Sequence, residues 1–502
     1  MDKKRSVLNV AVAIGFKIII MVMTIVVKRT LIQYCGNEVN GLNALFLSII
    51  GVLSVAELGV GSAITFCMYK PIVDNNLEEV SALYHLFKKL YLIIGGAIGL
   101  VGLILTPFIR YLAKDYADVE VNFSVSFLLM LVSVVLSYFY SAKTSLINAY
   151  KNNYITTAIT SGGILLQFCL QLIVLYLTKS FTCYLICRIV ATLAQWFVTE
   201  KISNRKYRAI FTAKAKLKVE TKSAVISSIR AMFMHKVGSV MVNTVDSMVI
   251  AAFIGVVTLG EYSNYQNLLA AVTGIIALVL SSLTSILGHL YVQKEPAVVE
   301  KYSRGFHLLN YCIGIVFYLG YFAVIDSLIE ILFFKNLIIS RQITFVITLN
   351  GFVQFMRYST LTFRDATGTF YYDRWKPLIE GVANLALSIV FVKTFGVVGV
   401  LVATIATNLF ICHIIEPYVL YKYAFGKSPV KHYLTNYMMI AVFFVAQLLL
   451  ENMRLSYETP WKTLFANGCL SVVVSVVACA LGFGMNIGLC KDLLLKVRKR
   501  NG

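Results

Sequence analysis

Charged side chains are scarce in this 502-residue chain, at 14%, where soluble domains carry about 25%. With 59% hydrophobic residues and a mean hydropathy of +0.78, there is more apolar sequence than a soluble core can absorb. The chain reads as a polytopic membrane protein. Acidic residues are the rarer sign, with 24 Asp and Glu against 45 Lys and Arg, a net charge of +21. The excess sits mostly between apolar segments and forms no folded basic module, which excludes nucleic acid as the expected partner. The ten cysteines show no CxxC or other metal-ligand spacing and read as scattered reduced residues, so neither metal nor cofactor is expected. There is no GxxxxGK[ST] phosphate loop, no HExxH and no GxSxG. No connection outside the membrane is long enough for a catalytic domain, so the chain is not expected to be an enzyme. The first apolar segment is far longer than a signal-peptide core and lacks a small-residue cleavage site, so it is expected to stay as a span.

What is present is a series of long apolar segments. Fourteen reach the length of about 20 residues that a bilayer requires. They fall near 7–32, 39–68, 86–112, 122–146, 155–178, 181–201, 223–254, 260–291, 306–333, 340–363, 376–394, 396–424, 433–451 and 463–488. Gly95 and Gly99 in the third have the GxxxG spacing that lets helices approach closely. Lys and Arg concentrate in the even-numbered connections and at both termini, which places both termini in the cytoplasm. The richest connection, Lys201–Lys222, is expected to lie against anionic headgroups.

The chain carries a weak internal repeat. At an offset of 219 residues Gly36 and Gly41 fall on Gly255 and Gly260, Lys17 falls on Lys236 and Thr24 on Asn243. At an offset of 212, Val190-Ala-Thr-Leu-Ala falls on Val402-Ala-Thr-Ile-Ala. Helices one and seven start on the same side, so the repeats are parallel. The expected architecture is all-α and integral to the membrane, with two pseudo-symmetric six-helix lobes and a C-terminal pair. The boundaries are 1–201 for the N-lobe, 202–222 for a basic cytoplasmic linker and 223–424 for the C-lobe. The last two helices take 425–490 and a basic tail takes 491–502.

Polar residues recur at helical spacing inside several apolar segments. Lys17 and Thr24 share a stripe on helix one; Lys236, Asn243 and Asp246 share one on helix seven; Asn43, Ser54 and Glu57 share one on helix two. A charge near the bilayer centre costs about 2.5–3.5 kcal/mol on insertion scales, so such residues face a bundle interior or a wet cavity. We therefore expect a net cationic cavity with Lys17, Lys236, Arg230 and Arg357 as anion-binding groups, and Arg188 as a further candidate. Glu57 and Asp246 are the coupling or ion-pair residues. Lys28 and Arg29 read as interfacial, as do His289, Glu330 and Glu416. Phosphate and pyrophosphate suit such a cavity through charge-assisted hydrogen bonds.

Several motifs resemble the polysaccharide-transporter family, the O-antigen and capsule repeat-unit flippases of bacteria. That family belongs to the multidrug/oligosaccharidyl-lipid/polysaccharide exporter superfamily. The likeness lies in Gly41-Leu-Asn-Ala-Leu-Phe46, Ala56-Glu-Leu-Gly-Val-Gly-Ser-Ala-Ile64 with Tyr69-Lys-Pro71, Phe363-Arg-Asp-Ala-Thr-Gly368, Asp373-Arg-Trp-Lys-Pro377 and Gly396-Val-Val-Gly399. The resemblance implies a V-shaped pair of lobes around a central cationic cavity, with the last two helices outside it. It implies a flippase of the bacterial plasma membrane that moves undecaprenyl-pyrophosphate-linked oligosaccharide to the outer leaflet by alternating access. Lys17, Lys236, Arg230 and Arg357 would hold the pyrophosphate, and H+ or Na+ at Glu57 or Asp246 would reset the carrier. Membrane lipids and polysaccharide assembly proteins are the other partners it implies. A cation-coupled multidrug exporter, a lipid II flippase and, further off, a membrane glycosyltransferase or polymerase are the alternatives.

Overall fold

The computed structural model describes residues 3–54, 60–114, 121–213, 225 and 244–488. All regular structure among them is helical. The chain packs as two compact units, Met1–Gly260 and Glu261–Gly502. This division falls inside a helix, C-terminal to the expected 202–222 linker, whose latter half lies outside the described residues.

The first unit contains α1 (Lys3–Cys35), α2 (Asn37–Leu53), α3 (Val60–Val73), α4 (Leu77–Leu105), α5 (Phe123–Ala149), α6 (Asn153–Thr178), α7 (Phe181–Lys206) and the short α8 (Arg208–Thr212). It also contains α9 (Thr244–Phe253) and the first turn of α10 (Val256–Ser282). Local sequence sets the helix starts. The Asn76 carboxamide oxygen accepts the Glu79 amide at 3.1 Å to cap α4, and Asn122 does the same for the Val125 amide at 3.1 Å to cap α5. Each cap satisfies a backbone donor that the helix itself leaves open. The GxxxG pair packs as expected. Gly95 lies against Tyr138 and Gly99 against Val135, and one turn further Gly102 lies against Leu131, so α4 and α5 run in close contact. The expected helix over 39–68 is described as α2 and α3, with 55–59 outside the described residues.

The second unit continues α10 into α11 (Thr284–Gln293), α12 (Pro296–Leu332), α13 (Arg341–Thr367), α14 (Lys376–Thr407), α15 (His413–Val419), α16 (Val430–Asn452) and α17 (Pro460–Met485). Turns of π-helix over Asn408–Cys412 and Leu420–Phe425 flank α15. The C-terminal pair packs on α12 and α13. The Tyr311 hydroxyl donates to the Ala478 carbonyl at 3.0 Å beside Gly482, and Phe352 stacks flat on Phe443 with centroids 3.8 Å apart.

Eight helical stretches among the described residues are long and apolar enough to cross a membrane. The stretch Lys376–Phe425 holds two of the expected fourteen helices. Gly396 adopts φ 60° and ψ −138°, a non-helical conformation, and Gly399 abuts the Phe391 carbonyl, so the chain doubles back there. The outward face of α17 is apolar, with Val472, Val473, Val476 and Val477 each about 60% exposed, as a lipid-facing helix requires.

Candidate functional site

Helix α13 is not among the eight apolar stretches. It carries Arg341, Arg357 and Arg364, and each has carboxylate partners. The most buried set surrounds Arg357. Its guanidinium grips Glu416 of α15 with both forks, Nε to Oε2 at 3.1 Å and Nη2 to Oε1 at 2.6 Å. Nη1 reaches Glu380 of α14 at 3.2 Å and the Asn408 carboxamide oxygen at 2.6 Å. Lys376, one turn before Glu380, donates to Glu416 at 2.5 Å and pairs with Glu380 at 2.9 Å. Glu416 is 1% exposed and Glu380 3%. Two cations thus meet two anions, and the cluster is neutral within itself.

The local sequence explains the convergence. Lys376, Glu380, Asn384 and Ser388 recur every four residues, so they share one face of α14, and all four are buried. Asn384 donates to Thr404 at 2.7 Å across the doubled-back helix. That contact sets the second arm beside the first and brings Asn408 and Glu416 to the same face. The π-turns on either side of α15 change its register relative to an unbroken helix. Beside the cluster His413 donates from Nε2 to the Val353 carbonyl at 3.0 Å and accepts from Asn436 at Nδ1 at 3.0 Å. One donor and one acceptor nitrogen describe a neutral imidazole.

A second cluster sits at the start of α13. Arg341 pairs with Asp326 at 3.0 Å and with Glu451 at 2.7 Å. Arg454 pairs with Asp326 at 3.0 Å, and the Tyr265 hydroxyl donates to Asp326 at 3.0 Å. Again two cations meet two anions.

In the first unit the two turns related by the 219-residue offset pack against each other. A methyl group at Gly41 would collide with the Val256 carbonyl, and one at Gly260 would lie 2.5 Å from the Asn37 carbonyl oxygen. Asn37 and Val256 are themselves 219 apart, so the contact is reciprocal. Asn37 donates to the Val257 carbonyl and Asn40 to the Gly260 carbonyl, both at 3.0 Å. Lys114 joins the same turn, its amide donating to the Ala251 carbonyl at 3.1 Å and its carbonyl accepting from the Val256 amide at 3.2 Å.

Of the six candidate residues, Lys17 is half-buried on α1 and Asp246 is buried on α9, both in the first unit; Arg357 is in the second. Lys236, Arg230 and Glu57 lie outside the described residues. The sequence reading did not single out Lys376 and Glu380 as site residues and read Glu416 as interfacial; Glu416 is buried at the heart of the cluster. The period-four spacing from Lys376 to Ser388 is the signal that marks this face.

No model of a known protein family matches the chain, and no curated protein matches it in sequence. Solved structures do match. One described as "Lipid II flippase MurJ, inward closed conformation" has a TM-score of 0.67 at 14% identity, covering 96% of this chain and 100% of its own. The inward-facing conformation of a multidrug resistance MATE family transporter of the MOP superfamily has a TM-score of 0.66 at 13% identity, covering 86% of this chain and 98% of its own. A MOP superfamily transporter from Pyrococcus furiosus, described as having a binding pocket of reverse polarity, has a TM-score of 0.53 at 12% identity, covering 88% of this chain and 97% of its own. The chain therefore has the all-helical fold that the lipid II flippase MurJ shares with the MATE transporters of the MOP superfamily.

Proposed function

We propose that this chain is a flippase of the bacterial plasma membrane, with both termini cytoplasmic. It moves undecaprenyl-pyrophosphate-linked oligosaccharide from the inner to the outer leaflet by alternating access, for surface polysaccharide synthesis. The observation that carries this reading is the likeness to a lipid II flippase over 96% of the chain. The surplus of basic candidates, Lys17, Lys236 and Arg230, suits a pyrophosphate. Arg357 is already saturated by two carboxylates and an amide. An incoming anion there would leave a buried carboxylate unpaired, at a cost of several kcal/mol. Its proposed part is to hold α13, α14 and α15 in register, with direct anion binding only in a conformation that releases Glu416. Glu57 and Asp246 are the proposed proton or sodium sites.

Complementation of cells lacking an O-antigen or capsule flippase tests the reading, with wild type, Lys17→Ala and Lys236→Ala compared at equal membrane expression. Restored surface polysaccharide that both variants lose supports cargo and site together. Restoration that survives both substitutions removes the site. The likeness to a MATE transporter at a TM-score of 0.66 favours a cation-coupled drug exporter as the second reading. Drug resistance conferred without polysaccharide export, and lost in Asp246→Asn, would replace the first reading with it.

A further inference from the structure

A continuous line of ring contacts crosses one end of the second unit, joining the loop between α13 and α14 to the π-turn that ends at Gly426. The Arg374 guanidinium lies 4.6 Å from the Tyr371 ring centroid. Tyr371 meets Tyr372 edge to face at 5.8 Å. Tyr372 stacks on Tyr423 with centroids 3.8 Å apart and planes 2° from parallel. The Lys422 ammonium lies 5.5 Å from the Tyr423 centroid and 5.1 Å from that of Tyr418, and donates to the Tyr418 hydroxyl at 2.7 Å. Each of these rings is exposed, as are Trp375 beside them and both cations.

The acids nearby are committed elsewhere. Arg364 pairs with Asp373 at 2.7 Å and with Asp365 at 3.1 Å, and Lys427 pairs with Glu300 at 3.2 Å. Among the described residues no carboxylate pairs with Arg374 or Lys422. The aromatic rail therefore holds two unneutralised cations in place from both ends, by the attraction between a cation and a ring face.

The arrangement discriminates between ligands. A cation lies over Tyr371, and Tyr372 and Tyr423 cover one face of each other, while Trp375 is exposed beside them. What is presented outward is positive charge, flanked by Tyr and Trp at the end of the apolar stretch Lys376–Phe425. Tyr and Trp settle at headgroup level, and basic residues there attract anionic lipid. The basic-residue distribution expected from the sequence puts this end at the cytoplasmic leaflet.

We propose that the strip from Arg374 to Lys422 is a binding surface for the headgroups of anionic phospholipids. It is a lipid site distinct from the transport site, and it does not depend on which cargo the protein carries. It fastens the α13–α14 loop and the end of the α15 arm to the membrane surface.

The test is native mass spectrometry of the protein released from nanodiscs of phosphatidylcholine with a minority of phosphatidylglycerol. Wild type retains phosphatidylglycerol preferentially. Arg374→Gln and Lys422→Gln each lower that retention about fivefold, the factor for one basic residue at the surface. Tyr372→Leu lowers it with both cations intact, while Lys431→Gln, an exposed cation outside the strip, leaves it unchanged. Retention unaffected in the Arg374→Gln, Lys422→Gln double variant overturns the proposal. So does an equal loss in Lys431→Gln, which would mean general basic attraction. Thermal unfolding in detergent confirms that the variants are folded.

Discussion

A guanidinium held between two buried carboxylates is costly to disturb from either side. Removing one member of a buried ion set costs about 3–5 kcal/mol, because the remaining charge is stranded. Glu416→Gln leaves Arg357 and Lys376 facing Glu380 alone, so it should lower stability by about that amount in denaturant unfolding. Adding Lys376→Met restores charge balance and should recover part of the loss, whereas additive losses would show that the two residues are not coupled. The turn contact in the first unit makes a second residue-scale prediction. Gly41→Ala and Gly260→Ala each force a methyl group into backbone, an overpacking worth about 1–3 kcal/mol. The double variant should cost less than the sum, because one displacement of the two turns relieves both collisions. Arg357 stood out in the sequence because an arginine inside apolar sequence demands a reason. Its partners did not, because Glu416 lies 59 positions away and that pairing exists only once α14 has doubled back.

At the scale of elements, α13 is held at its first residue and again past its middle. Arg341 and Arg357 are sixteen residues apart, about 24 Å along the axis, and each anchors a four-charge cluster. The hairpin in α14 is the element that assembles one of them. Gly396, at φ 60° and ψ −138°, occupies a region closed to side chains, so Gly396→Ala should cost about 1–3 kcal/mol in unfolding. Gly484→Ala is the contrast. That glycine is helical with open space around it, and the substitution should be neutral or stabilising by up to about 1 kcal/mol. The Gly396 break was legible in the sequence as the boundary between helices eleven and twelve. So was the tight α4–α5 contact at Gly95 and Gly99, since backbone-level approach leaves a mark in local spacing. The π-turns around α15 flank Pro417, which lies inside that helix and cannot donate a backbone hydrogen bond.

For the whole molecule, the apolar periodicity was enough to give the class and the helix count, because the bilayer imposes length and composition on every span. The 219-residue offset rested on a handful of identities, and it acquires physical meaning where Asn37, Gly41, Val256 and Gly260 meet reciprocally. The paired clusters of the second unit have an electrical consequence. Each holds two positive and two negative side chains, so each would traverse the transmembrane field as a neutral body and contribute no gating charge. Neither cluster would then add to the voltage dependence of flux, which is worth about 2.3 kcal/mol per elementary charge per 100 mV. Glu416→Gln would unbalance one cluster by a full charge. Capacitive current recorded from reconstituted membranes without cargo should be larger in that variant than in wild type if the cluster moves through the field during the cycle.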